Sequence, residues 1–262
     1  MIPVFADHID RLDRRPPPGV IQWACPVPYF GDARLATVAT VGINPSNREF
    51  TDVGGGELAG EERRLPTLRS LGLSRWADAD SRHLRTVIAA CDSYFRKRPY
   101  DRWFGVLERI LEPSGHTFYG LSPSACHVDL VPFATHHKWG GLPSGDRIRL
   151  LDVNDEPFSL LVRSTSIRLL ILNGRSVVDA FQDTFDVRLD PVKMPRWDLR
   201  RVSGHVKGFG YVGTVSTLAG VPLDRQLLIA GFNHNLQSSF GVTGEAIDAI
   251  GEWLAELKPN IQ

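Results

Sequence analysis

The chain has 262 residues, 42% of them hydrophobic, which is enough apolar material to bury one substantial core. Thirty basic residues balance thirty acidic ones, so no long phosphate-tracking surface makes the whole domain basic, although a small local patch of phosphate contacts stays open. No apolar stretch approaches the ~18 residues of a membrane span, and the N-terminus lacks the basic start and apolar run of a signal peptide, so a cytoplasmic protein is expected.

In chain order, residues 1–33 read as an N-terminal arm, with Pro16 to Pro18 as a turn within it. Leu35–Ile43 is the first of four bounded apolar segments with the character of buried parallel strands. Residues 49–81, which contain Gly54-Gly55-Gly56 and Arg63-Arg64, read as a surface insertion. Helical patterns follow over Arg82–Arg96 and Arg102–Leu111, then a second strand over Ala125–Phe133 and a third over Arg168–Leu172. A helix over Ser176–Phe185, a fourth strand over Leu227–Gly231 and a last helix over Thr243–Leu257 complete the pattern. Strands alternating with helices imply an α/β class, a three-layer α/β/α sandwich on a central, mainly four-stranded parallel sheet, with the whole of 1–262 as a single domain.

In such sheets ligands bind beyond the carboxyl ends of the strands, where loops converge. The segments there are Asn44-Pro45-Ser46-Asn47, Ala134-Thr135-His136-His137, Asn173-Gly174-Arg175 and Phe232-Asn233-His234-Asn235. They are polar, and two carry histidine. Cys25, Cys91 and Cys126 are too widely spaced to furnish a zinc or cluster site, so neither a metal nor any other cofactor is expected.

Gly42-Ile43-Asn44-Pro45 puts a side-chain amide at the end of the first strand, on a backbone stiffened by proline, where it can position a water. Val41-Gly42-Ile43-Asn44-Pro45 resembles the first motif of the mismatch-specific and single-strand-selective uracil-DNA glycosylases, and His234 after the last strand matches the histidine of the superfamily's second motif. The resemblance runs in order of elements from about Arg34 to Ser239. It implies a monofunctional DNA glycosylase of base-excision repair that flips a uracil, or another deaminated base, out of DNA and hydrolyses its N-glycosidic bond. Asn44 would hold the attacking water and His234 would donate to the departing base at O2. Because Asn is no general base, the chemistry is expected to be modest in rate.

The resemblance also implies a base pocket formed by Gly42, Ile43, Phe50, Asp129 and His127, and DNA contacts from Ser46, Gln237, Ser238 and Ser239. Phe50 is the first choice for the ring that stacks on the base, with Phe95 and Tyr100 as alternatives; Trp103, Phe104 and Leu107 are read as core. Asn235 and Leu236 replace the Pro and Ser of the superfamily's motif, and Ser238 lies where the classical enzymes place the penetrating Leu, so Leu236 or Gln237 is expected to take over helix penetration. Asp129 stands where family members carry a base-reading Asn, which predicts a broadened range of bases. An ionised carboxylate accepts from a ring N–H but repels an exocyclic oxygen unless burial keeps it protonated. Asp129 could also merely cap the following loop, and His127, on the same strand face, is either its partner or a second base reader. Arg48, Arg63, Arg64, Lys97 and Lys138 are available for phosphates. A monomer acting on DNA is expected; the other readings are a non-catalytic nucleic-acid-binding or damage-sensing protein and a hydrolase of free nucleosides.

Overall fold

A computed structural model describes residues 1–120, 122–201, 204–237 and 241–257. Helix α1 (Ile2–Arg14) buries Val4, Phe5, His8, Ile9 and Leu12 as one stripe. Phe5 meets Tyr29 edge-on, and Tyr29–Phe30 forms strand β1, antiparallel to a later strand. Residues 1–33 are therefore part of the core and sheet rather than a peripheral arm, because their apolar stripe has a core to bury against.

Strand β2 (Val38–Gly42) is buried throughout. The segment read as a surface insertion is pinned at Phe50, Leu65 and Trp76, all buried in the core; its exposed part centres on Gly54 to Gly56, whose turn is held by the Asp52 carboxylate. The short helix α2 (Leu68–Leu71) follows, capped by Thr67. Helix α3 (Ser81–Asp92), capped by Asp80, and helix α4 (Asp101–Leu111) lead to strand β3 (Ala125–Asp129), again fully buried. Helices α5 (Ser144–Asp152) and α6 (Asp155–Arg163) precede β4 (Leu169–Asn173), and α7 (Arg175–Phe185) follows it. Strand β5 (Asp190–Lys193), the small hairpin of β6 (Leu199–Arg201) and β7 (Gly204–Val206), the long hairpin of β8 (Phe209–Leu218) and β9 (Val221–Phe232), and helix α8 (Gly244–Glu256) complete the fold.

The main sheet has the order β1-β3-β2-β4-β9-β8-β5, in which β3, β2, β4 and β9 are mutually parallel and β1, β8 and β5 each pair antiparallel with the neighbouring strand nearer the centre. The expected four-stranded parallel centre and three-layer sandwich are present, with antiparallel strands added at both edges. Strand alternation shows how the layers form. A Cβ at Gly210 would touch Trp253 of α8, whereas one at Gly231, opposite Tyr211 on the neighbouring register, would touch Val178 of α7. Helices α7 and α8 thus cover opposite faces, and α4 packs beside α8. Gly42 lies level with Asp129, and Asn173 with Phe232, so the loops after the parallel strands emerge at one edge. Among the described residues no helix is long and apolar enough to cross a membrane.

Candidate active site

Thr40 and Gly42 on β2 lie opposite His127 and Asp129 on β3, and alternation turns all four toward α4. The Thr40 hydroxyl lies 2.8 Å from His127 Nδ1, and His127 Nε2 lies 3.2 Å from Asp129 Oδ1. A hydroxyl proton given to Nδ1 and an Nε2 proton given to the carboxyl satisfy every member of this buried chain. Rings of Phe30, Trp103 and Phe104 surround the imidazole. The pair fits only because residue 42 has no side chain: a Cβ there would stand 2.4 Å from Asp129 Oδ1 and 2.8 Å from His127 Nε2. Burial pushes the Asp129 carboxyl above its usual range, with His127 pulling the other way. Both nitrogens of His127 are engaged, so its place is that of a partner that orients Asp129 and not of a second base reader.

Asn44 extends from the end of β2, half-buried. Its Nδ2 lies 3.2 Å from the Phe133 carbonyl, 3.1 Å from Thr135 Oγ1 and 3.3 Å from the Pro45 carbonyl. Thr135 gives its own proton to the His137 carbonyl and so accepts from Asn44. Three oxygens around the nitrogen fix which way the amide points, and the Asn44 Oδ1 is left as an acceptor. Ser46 then caps a single 3-10 turn over Asn47–Glu49, and that turn carries Glu49 back under the site. Glu49 is 2% exposed and accepts a hydrogen bond of 2.7 Å from the Tyr94 hydroxyl, which in turn accepts from the Tyr100 amide. Burial, reinforced by the Asp129 charge and opposed by Tyr94 and Arg64, pushes the Glu49 carboxyl up to about 7.

Asn44, Glu49, His127 and Asp129 line one small cavity of about 50 Å³, closed by Phe30, Tyr100, Trp103 and Phe104. Asn44, Ser46, Tyr100 and Trp103 also line a wider cleft of about 1000 Å³, so the cavity opens behind its wall. Arg48, Arg102, His136, His137 and Lys138 give the cleft a basic rim, and Gln237 enters it from the far side. The Gln237 Oε1 accepts from Asn173 Nδ2 at 2.9 Å. Ile43 contributes its backbone, whose carbonyl accepts from the Val131 amide.

Three expectations need correction. His234 is 4% exposed and its Nε2 lies 2.6 Å from the Trp197 carbonyl, so the proton meant for a departing base goes to the backbone instead; its neighbour Asn235 lines the cleft. Phe50 is 1% exposed and meets Trp23 edge-on, because the 3-10 turn that brings Glu49 to the cavity sends the next side chain into the core. Of the alternative rings, Phe95 stacks on Phe118 within the core, and only Tyr100 reaches the cleft. Leu236 is buried, which leaves Gln237 of the two candidates for helix penetration. Ser238 and Ser239 lie outside the described residues.

Two residues escaped the sequence reading. Glu49 lay in what read as an insertion, and its signal was a carboxylate one short turn after the strand-end amide. Trp103 was assigned to the core, yet it is half-buried and borders both cavity and cleft. Among the described residues no group of three or more His, Cys, Asp or Glu side chains could hold a metal ion. Comparison of the chain with family models and with curated proteins found no match.

Proposed function

We propose that the protein is a monofunctional DNA glycosylase of the uracil-DNA glycosylase type, removing uracil and at least one deaminated purine from DNA in the cytoplasm. The observation that carries this reading is the cavity that joins an acceptor amide, two buried carboxyl groups and several aromatic rings, set behind a basic cleft. In its present shape the cavity holds a few waters, so a base enters by displacing the half-buried Tyr100 and Trp103 rings, one of which then stacks on it. Asn44 Oδ1 accepts from a water, and Glu49, poised near neutral pH, takes that water's proton as its oxygen attacks C1′. The C1′–N bond breaks and its electrons leave with the base. Asp129, held by His127 and raised above its usual range by burial, accepts from the ring N–H of the base. Glu49 thus supplies the general base that Asn44 lacks.

The inward turn of His234 favours a second reading, a protein that binds damaged nucleic acid without excising the base. Oligonucleotides carrying one uracil or one hypoxanthine, and free deoxyuridine, separate the possibilities when free base is measured. Release from DNA alone supports the glycosylase, binding without release supports the second reading, and equal release from the nucleoside shows that DNA is not needed. Asp129→Asn supplies a donor that a carboxylate lacks. It should shift the ratio of uracil to hypoxanthine release toward uracil, by an amount on the order of the 1–3 kcal/mol of one unsatisfied buried polar group. An unchanged ratio would remove Asp129 from the base pocket.

A further inference from the structure

A second hollow, of about 570 Å³, lies between the 63–71 segment and helix α3. Arg63, Arg64, Arg82, Arg85 and Lys97 line it, and no carboxylate does. In a chain whose acidic and basic residues balance at thirty each, this is a local excess that composition conceals. Nearby acids are engaged elsewhere: Asp80 caps α3, Glu62 pairs with Arg98, and Asp92 pairs with Arg34. None of the five cations forms an ion pair among the described residues. The Arg63 Nε is buried and has no hydrogen-bond partner, a donor left unsatisfied at cost. Arg64 is held in place by the Arg48 and Arg98 carbonyls, at 2.9 and 3.0 Å, and lies over the Tyr100 ring at 5.8 Å. Arg48 and Tyr100 both line the cleft, so Arg64 forms the wall between cleft and hollow.

Four guanidinium groups and an ammonium around one hollow match the charge and the multiple acceptor oxygens of a phosphate. We infer that this hollow is a phosphate-binding site that takes the backbone of a nucleic-acid strand as it leaves the cleft, the choice of strand resting on the DNA reading above. It would hold a phosphate at a distance from the extruded nucleotide, and it contacts no base, so it adds affinity without sequence preference.

Arg82 and Arg85 are exposed on one face of α3, so Arg82→Gln with Arg85→Gln removes two charges without disturbing the core. The probe is a single-stranded oligonucleotide of ordinary bases, followed by fluorescence anisotropy across a salt series. It contains nothing to excise, so the outcome is independent of whether the protein releases bases. Neutralising two phosphate contacts should flatten the slope of log affinity against log salt by about 1.4 and weaken binding roughly tenfold or more at low salt. Arg163→Gln with Arg188→Gln changes net charge equally, away from both cleft and hollow, and should leave both quantities alone. If oligonucleotide binding is unchanged but calorimetric binding of pyrophosphate is lost in the Arg82/Arg85 variant, the phosphate site stands and its ligand is a free phosphorylated molecule. If neither probe is affected, or if the control pair behaves identically, the site does not exist.

Discussion

Glu49 pays for its position in a way that pH exposes. Its folded-state pKa of about 7 stands above the usual 4.5, so the folded protein binds the proton more tightly than the unfolded chain. The stability this gives is full below pH 4.5 and is lost as pH rises through about 7, a difference of about 3 kcal/mol at 1.36 kcal/mol per unit. Glu49→Gln keeps an acceptor for the Tyr94 hydroxyl and carries no charge. The variant should therefore match the native protein near pH 4 and exceed its stability at pH 8, as urea melts at the two pH values would reveal. Base release should climb with pH through about 7 in the native protein and vanish in the variant. A stable but inactive Glu49→Gln is the signature of a group retained for chemistry. For His234 the geometry reverses the expectation drawn from sequence. A catalytic donor in a loop would be replaceable at no structural cost, with release slowed ~10²–10³-fold on loss of the donor. Because the imidazole instead satisfies the buried Trp197 carbonyl, His234→Ala should cost about 1–3 kcal/mol of stability. Slowed release at unchanged stability would restore the catalytic role.

At the scale of elements, α1 repeats the theme of a titratable group buried where charge is unwelcome. His8 lies edge-on to Phe133, 5.8 Å between centroids, with no partner for either ring nitrogen. Burial pulls its imidazole down to about 3. The neutral form fits the interface, so the stability is full above pH 6.5 and is lost as pH falls toward 3, by at most about 5 kcal/mol. His8 and Glu49 act with opposite sign between pH 4.5 and 6.5, where their effects on the slope cancel. Below pH 4.5 only the His8 loss continues. His8→Leu should accordingly make the protein more resistant to acid, with urea midpoints of native and variant diverging as pH is lowered from 6.5 to 4. Parallel curves would mean that α1 detaches before His8 is protonated.

For the molecule as a whole, the three cysteines offer a probe of cooperativity. Cys25, Cys91 and Cys126 lie in a loop, at the end of α3 and in β3, all buried, and burial pushes each thiol well up from its ordinary value. Neither reagent access nor thiolate is present in the folded state, so an aromatic disulfide reagent should leave all three untouched in the native protein. If the chain folds as one unit, the three thiols should become reactive together, with one dependence on denaturant. Early reaction of Cys25 alone would show that the N-terminal region opens separately, despite its strand β1 pairing with β3.

The sequence by itself determined the layered fold and the edge at which the site would lie. Short continuous apolar runs alternating with helical patterns read as parallel strands covered on both faces, and the polar segments after them gather at their carboxyl ends. Gly42, His127 and Asp129 were legible because strand alternation decides their face before any packing is known, and Asn44 because it directly follows the first strand. The outer strands β5 and β8, with their exposed positions, and the start of β9 did not carry that continuous apolar signal, and the stripe of α1 was legible only once a core existed for it to cover. What the tertiary structure alone decided was direction. A 3-10 turn sent Glu49 into the cavity and Phe50 away from it, and the Trp197 carbonyl, 37 residues from His234, drew that imidazole inward. Arg63 and Arg64 met Arg82 and Arg85 only when a loop folded against α3. Spacing along the chain constrains which residues share an element, whereas the direction of a loop side chain is set by atoms supplied from elsewhere in the fold.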